Sequence, residues 1–219
     1  MTSWEAALVS ATACAAGALT VPLLVARVPA AVRQHEPYAV PVAAAAGAVI
    51  GGTLGASWSL LFLLPLVPVG VALGLIDART HLLPTVIIWP AFGGVIALAA
   101  VSALIEDDPE ALGRAALGSA VVFLAFHALW WIHPAGMGYG DVRLSAVLGF
   151  ALGYLGWAEL LVGVYGGFLV FAVSGFVIAL LRRDRQALKA SYPFGPFLLV
   201  GALAGIAFGP AVWSYLVSG

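Results

Sequence analysis

Long runs of apolar residues, separated by short groups of polar and charged residues, make up almost the whole chain. The runs are continuous and lack the stripe of an amphipathic helix or the alternation of a half-buried strand. A helix needs about 20 apolar residues to cross the hydrocarbon core of a membrane. The pattern therefore predicts eight membrane-spanning helices, at 6–26, 38–56, 58–76, 86–105, 114–132, 142–157, 159–181 and 196–217.

The polar segments between these runs are all short. The longest extends from Arg182 to Lys189, which leaves no room for a soluble domain. The first run is preceded by Glu5 and followed by the first basic residue, Arg27, whereas a signal peptide has its basic residues first. We therefore interpret 6–26 as a retained span and predict an all-α polytopic integral membrane protein in which residues 1–219 form one membrane domain.

The composition supports this class. Hydrophobic residues account for 63% of the chain and charged residues for 9%, whereas a soluble domain is about half apolar and about a quarter charged. A soluble enzyme, a disulfide scaffold and a disordered tail are excluded, and membrane lipid is the expected surrounding. The net charge of −1 argues against nucleic acid as a partner. The single cysteine, Cys14, and the lack of ligand spacing among the histidines predict no metal site and no cofactor.

The basic residues predict the orientation, because cytoplasmic loops retain Lys and Arg. With eight spans, successive loops alternate between the two sides of the membrane. One set of loops contains Arg27, Arg33, Arg79, Arg143, Arg182, Arg183, Arg185 and Lys189. The other set contains only Arg114. The first set is therefore predicted to be cytoplasmic, with both termini outside.

Two acidic residues, Asp77 and Asp141, lie on the basic side, each at the end of a predicted span. A carboxylate at this depth is costly unless it is paired or hydrated, so a functional role is one interpretation. The other is an ion pair with Arg79 or Arg143. Two carboxyl groups at one hydrated site can share a proton, and one can then act as a base and the other as an acid.

Helix ends predict how such a pair would divide these roles. Asp141 precedes the sixth predicted span, where the positive end of the helix dipole favours a carboxylate. Asp77 follows the third span, where the negative end favours the neutral acid. The sequence thus predicts that Asp141 is the base and Asp77 the acid.

Three segments surround these acids in a fixed order. They run from Asp77 to Pro84, from Gly138 through Gly140 and Arg143 to Leu144, and from Pro193 through Gly195 and Pro196 to Leu198. The two glycines before Asp141 leave the backbone beside the acid bare, which would let a peptide approach. Together the segments resemble the type IV prepilin leader peptidases, which belong with the GxGD intramembrane aspartyl proteases.

The resemblance implies an endopeptidase of the inner (cytoplasmic) membrane. Asp77 and Asp141 would be its catalytic pair, supported by the motif residues Gly138, Gly140, Arg143, Pro84, Pro193, Gly195 and Pro196. Its substrates would be prepilin or pseudopilin proteins, from which it would remove the basic leader peptide at the cytoplasmic face.

The chain departs from the family at several positions. Leu83 replaces the usual Ile, Thr85 a frequent Asn, and Arg143 the usual Lys. These exchanges preserve bulk or charge. The four-cysteine segment of the bifunctional members is missing, and the loop from Arg27 to Pro37 is too short to contain it. N-methyltransferase activity is therefore not expected.

Three other interpretations remain open. A small proton-coupled transporter could use Asp77 and Asp141 as a proton relay, although it predicts acids near the middle of the membrane and two similar halves. A noncatalytic scaffold would leave the three segments unexplained. A presenilin-like enzyme shares GxGD, but its first aspartate usually follows a tyrosine, whereas here Ile76 precedes Asp77.

The histidines suggest no chemistry of their own. We interpret His35, His81 and His133 as polar loop residues. His127 lies inside the fifth predicted span, where a hydrogen bond between helices is the expected reason for it.

Overall fold

The structure, a computed structural model, describes residues 2–26, 37–134, 137–182 and 193–218, and these form helices joined by short turns. In chain order the helices are α1 (Ser3–Ala18), α2 (Val21–Val25), α3 (Ala39–Leu54), α4 (Leu60–Thr80), α5 (Thr85–Glu106), α6 (Pro109–Ile132), α7 (Tyr139–Leu155), α8 (Trp157–Arg182) and α9 (Gly195–Ser218). The predicted all-α class is confirmed. Arg27, Arg33, His35 and the basic residues from Arg183 to Lys189 lie outside the described residues.

Five of the described helices are long and apolar enough to cross a membrane. They are α4, α5, α6, the Trp157–Val177 part of α8, and the Gly195–Val217 part of α9. Helix α3 is shorter but also apolar. The chain is therefore a polytopic helical membrane protein, and the full number of eight spans stays a prediction.

The first predicted span, 6–26, is divided in two. Helix α1 ends at Ala18, a turn follows, and α2 begins at Val21. Pro22 explains the break, because it has no N–H to donate to the Ala18 carbonyl and is well tolerated in the first turn of a new helix.

Packing between neighbouring helices compensates for a proline inside α4. Pro68 cannot donate a hydrogen bond to the Leu64 carbonyl one turn earlier. The Cys14 thiol of α1 donates to this oxygen instead, with Sγ 3.7 Å away. A neighbouring helix thus satisfies the freed carbonyl, as expected for a proline in a membrane helix.

Small residues bring helix backbones close together in two places. A Cβ atom added at Gly47 of α3 would lie 2.5 Å from the Ser10 carbonyl oxygen of α1. One added at Gly209 of α9 would lie 2.8 Å from the Glu159 Cα atom of α8. Glycine at these two positions therefore allows the helix backbones to approach each other closely, as small residues commonly do between membrane helices. Gly55 differs, because it ends α3 with a φ of 63° and its Cβ would meet nothing within 4 Å.

Helices α5 and α9 connect the two helices that carry the aspartates. Helix α4 packs against α5 and α9, and α7 packs against the same two helices. At the end remote from the aspartates, the Tyr154 hydroxyl of α7 lies 3.1 Å from Ser102 Oγ and 3.3 Å from Glu106 Oε2, both in α5. Nearby, the Arg114 guanidinium of α6 donates to the carbonyls of Gly153 and Tyr154 at the end of α7.

Candidate active site

Asp77 lies inside the last turn of α4. The predicted span ended at residue 76, but the helix continues to Thr80. His81 then ends it in a left-handed conformation, with a φ of 53°, and its N–H donates to the Asp77 carbonyl at 2.8 Å. The side chain of Asp77 is only 4% exposed.

The carboxyl group of Asp77 binds the start of α9. The Gly195 N–H donates a hydrogen bond to Asp77 Oδ2 at 2.9 Å. Gly195 is the first residue of α9, so this N–H has no acceptor within its own helix. The positive end of the α9 dipole therefore favours the carboxylate form of Asp77. A Cβ atom at Gly195 would lie 2.8 Å from Asp77 Oδ2, which explains why a residue without a side chain occupies this position.

The residues around Gly195 set its position. Pro193 precedes the helix, and the carbonyl of Phe194 accepts from the Leu198 N–H at 3.1 Å, as the residue before a helix does. The Phe194 ring is buried against three other rings, those of Phe126, Phe168 and Phe171. Pro196 occupies the second helical position, where an N–H is not needed. The third motif segment therefore serves to present the Gly195 N–H to Asp77.

Asp141 lies in the first turn of α7. The helix begins at Tyr139, so Asp141 is its third residue and does not precede it, as the predicted span 142–157 implied. The Asp141 N–H donates to the Gly138 carbonyl at 3.1 Å. The side chain is 5% exposed, and its Oδ1 atom is buried without a hydrogen-bond partner among the described residues.

The two carboxyl groups act on each other electrostatically. Burial raises the pKa of Asp141 to about 7, the charge of Asp77 acts in the same direction, and a backbone hydrogen bond from Gly138 opposes them. A buried pair of this kind holds one proton near neutral pH. The end of α4 is not the only helix terminus beside Asp77, because the start of α9 reaches this side chain from another part of the chain.

Gly140 has a different role from the one expected. A Cβ atom there would lie 2.5 Å from Leu83 Cβ, so the space beside this glycine is filled by Leu83 and is not open to a peptide. Leu83 also reaches the other site glycine, since its Cδ1 atom would lie 3.4 Å from a Cβ at Gly195. At Gly138, a Cβ would lie 3.3 Å from Asp141 Oδ2. Sequence reasoning did not single out Leu83 as a contact between these segments.

Arg143 connects α7 to the start of α5. Its Nη1 atom donates to Thr85 Oγ1 at 2.6 Å, and its guanidinium carbon lies 4.8 Å from the centre of the Tyr139 ring. Thr85 is the first residue of α5, directly after Pro84, which is the N-cap residue of that helix. Thr85 was not among the candidate site residues, although it was one of the positions at which the chain departs from the family.

The histidines do not form a site with the acids. His127 stacks on Phe123 and contacts the rings of Trp130 and Tyr139, at centroid distances between 5.7 and 5.9 Å. Its Nδ1 atom is buried without a hydrogen-bond partner among the described residues, so the expected bond between helices is wrong for this atom. Within the described ranges, no three His, Cys, Asp or Glu side chains are grouped so that they could hold a metal ion.

The fold and the site define a class: a polytopic helical membrane protein with a buried pair of carboxyl groups at one end of its bundle. The sequence profile of the type IV leader peptidase family matches residues 64–209, a range that contains both acids. The chain belongs to this family.

Several curated proteins are similar over most of the chain. A prepilin leader peptidase/N-methyltransferase of Aeromonas salmonicida is 30% identical over 194 residues, which cover 86% of this chain and 63% of that protein. The leader peptidase HopD of Escherichia coli is 33% identical over 166 residues, covering 74% of this chain and 97% of HopD. The chain thus spans less than two thirds of the first relative and nearly all of the second. No solved structure matches it.

Proposed function

We propose that this protein is an aspartyl endopeptidase that removes the leader peptide from type IV prepilin-like proteins. The observation that carries the proposal is the buried pair of Asp77 and Asp141, which come from separate helices and act on each other electrostatically. The names of the relatives, which are leader peptidases, support the same reaction class and the same substrates.

The geometry supports the opposite assignment of acid and base to the one that the helix ends predict. Asp77, held by the Gly195 N–H, is the carboxylate that takes a proton from water. The water oxygen then bonds to the scissile carbonyl carbon, while Asp141 gives its proton to the carbonyl oxygen. The tetrahedral intermediate collapses as its C–N bond breaks. The leaving amine takes the proton from Asp77, and the hydroxyl proton returns to Asp141.

The reaction takes place at the cytoplasmic face of the inner membrane in this proposal. Arg79 and Arg143 lie close in sequence to Asp77 and Asp141, at the same helix ends, and the positive-inside rule assigns such ends to the cytoplasm. A basic leader remains on that side, so its cleavage site would reach the pair. Residues 1–219 act as one membrane domain with both termini outside. With one cysteine in the chain, the proposal includes no methyl transfer.

The position of the acids argues against the proton-relay alternative. Asp77 lies in the last turn of α4 and Asp141 in the first turn of α7. A relay across the membrane needs titratable groups near the middle of the spans. Both groups instead lie at one end of the bundle.

Co-expression with candidate prepilins tests the proposal directly. We expect each true substrate to lose its leader, and sequencing the N-terminus of the product gives the cleaved bond. The same substrates expressed without this protein are the control. The proposal is wrong if the membrane-inserted protein leaves the leader on every prepilin-like protein offered to it, including any from its own organism.

A further inference from the structure

The separation of the two aspartates depends on helices other than their own. Helices α4 and α7 both pack against α5 and α9. On the α9 side, the connection is the hydrogen bond from Gly195 to Asp77. On the α5 side, one contact joins the first residue of α5 to the beginning of α7.

That contact lies two residues after Asp141. Arg143 Nη1 donates to Thr85 Oγ1 at 2.6 Å, a short distance for a hydrogen bond from a charged donor. The guanidinium also lies over the Tyr139 ring, 4.8 Å from its centre, so one cation holds both the first turn of α7 and the first residue of α5. Tyr139 in turn packs edge-on against Trp130 of α6, with the ring centres 4.8 Å apart.

The turn between α4 and α5 completes this connection. It runs from His81, one helical turn after Asp77, to Pro84, directly before Thr85. Leu83 within it fills the space beside Gly140. A displacement of Thr85 would therefore move the segment that follows Asp77 relative to the segment that carries Asp141.

We propose that Thr85 is a positioning residue for the peptidase reaction: its hydrogen bond with Arg143 holds the start of α5 against the start of α7 and thereby sets the distance between Asp77 and Asp141. This inference rests on the proposed function. Neither Thr85 nor Arg143 takes part in the chemistry. Catalysis is sensitive to such positioning because a small misplacement of reacting groups costs up to about 100-fold in rate.

The test compares two substitutions that differ in whether they retain the hydroxyl group. Thr85→Val removes the hydroxyl and retains the shape, while Thr85→Ser retains the hydroxyl. We expect Thr85→Val to lower kcat by about 10-fold to 100-fold, with KM unchanged, because the acids are misplaced but the substrate still binds. Thr85→Ser should retain most of the activity.

A matched control lies at the other end of the same helix pair. Tyr154→Phe removes the hydrogen bonds from α7 to Ser102 and Glu106 of α5 without touching the aspartates. We expect it to lower the thermal stability of the purified protein and to leave kcat unchanged. A merely structural role for Thr85 predicts that Thr85→Val and Tyr154→Phe have the same effect on kcat.

A double-mutant cycle completes the experiment. If the pair acts as a unit, Thr85→Val has no further effect on kcat in an Arg143→Leu background. Should Thr85→Val fail to accumulate, Arg143→Lys, which keeps the charge and shortens the reach, provides the same kcat and KM comparison. The inference is overturned if these variants retain wild-type kcat. It is also overturned if the effects of the Thr85 and Arg143 substitutions on kcat are independent, so that the effect of the double variant equals their product. If the wild-type protein cleaves no prepilin, or cleaves without its aspartates, the proposed function itself is wrong.

Discussion

The backbone N–H of Gly195 donates a hydrogen bond to Oδ2 of Asp77 at 2.9 Å, so the first residue of α9 binds the carboxyl group at the end of α4. This contact gives Pro193, Gly195 and Pro196 a physical role: they present a free helix N–H to an acid. It also leads to the first of five predictions.

Replacing Gly195 by Ala should impair the enzyme. The new Cβ would lie 2.8 Å from Asp77 Oδ2, so the carboxyl group or the start of α9 must move. We expect kcat to fall by about 10-fold or more, with a stability cost of about 1–3 kcal/mol from overpacking. Gly93→Ala in α5 is the control, because a Cβ there meets nothing within 4 Å. Equal activity of the two variants would refute a role for the Gly195 contact.

Both aspartates should be needed for cleavage but not for insertion. Asp77→Asn and Asp141→Asn remove an ionisable group with little change in shape, and the loss of general acid–base catalysis is expected to lower kcat by about 10²-fold to 10⁴-fold. Glu110→Gln, an exposed carboxyl at the start of α6, should behave as wild type. Leader cleavage by either aspartate variant at a normal rate and abundance would exclude the aspartyl mechanism.

The rate should fall as the pH rises above about 7. Burial raises the pKa of Asp141 to about 7, so the group is neutral and able to donate a proton below that pH and loses this ability above it. The measurement is kcat between pH 5.5 and 9, about one and a half to two units on each side of this pKa, with protein stability followed in parallel. A kcat that increases steadily over the alkaline half of this range would show that Asp141 is not the acid.

Topology can be measured independently of activity. Reporter fusions at Arg33, Thr80, Met137 and Ala187 should report the cytoplasm, and fusions at Asp108 and the C-terminus should report the exterior. The expected reason is the concentration of basic residues in the first set of loops. Exterior signals at both Thr80 and Met137 would place the aspartates on the side opposite to a basic leader.

The two polar departures from the family's pattern touch each other. Thr85 and Arg143, in place of Asn and Lys, are joined by a hydrogen bond of 2.6 Å. Arginine has a longer side chain than lysine, and threonine has a shorter one than asparagine. The pair of Arg with Thr can therefore bridge about the same distance as the pair of Lys with Asn. We therefore expect the double variant Thr85→Asn with Arg143→Lys to cleave faster than either single variant. A double variant slower than both would mean that the two positions do not compensate.

Local sequence was a good guide to the helices. Each predicted span has a helix over most of its length, because a segment inside lipid must satisfy its backbone hydrogen bonds internally. The boundaries beside the acids were less accurate. Helix α4 extends past Asp77 and α7 begins before Asp141, since a polar residue at a membrane surface does not by itself end a helix.

The motif residues were recognisable from the sequence, but the reasons for them were not. Position 140 requires glycine because Leu83 occupies the space that a Cβ atom would take. Position 195 requires glycine because the Asp77 carboxyl group occupies the corresponding space. Both reasons involve residues that are distant in the chain. The Thr85 contact was missed for the same reason, although its departure from the family pattern was a visible signal.

The sequence by itself determined that this is a helical membrane protein with two acids at predicted span ends on one side, because hydropathy, charge and motif order are properties of short stretches of chain. The tertiary structure alone decided which groups surround each acid. The start of α9 donates a hydrogen bond that favours the carboxylate form of Asp77, and burial raises the pKa of Asp141 to about 7. The electrostatic environment of a buried group is the sum over all neighbouring elements, and only the packed structure specifies those neighbours.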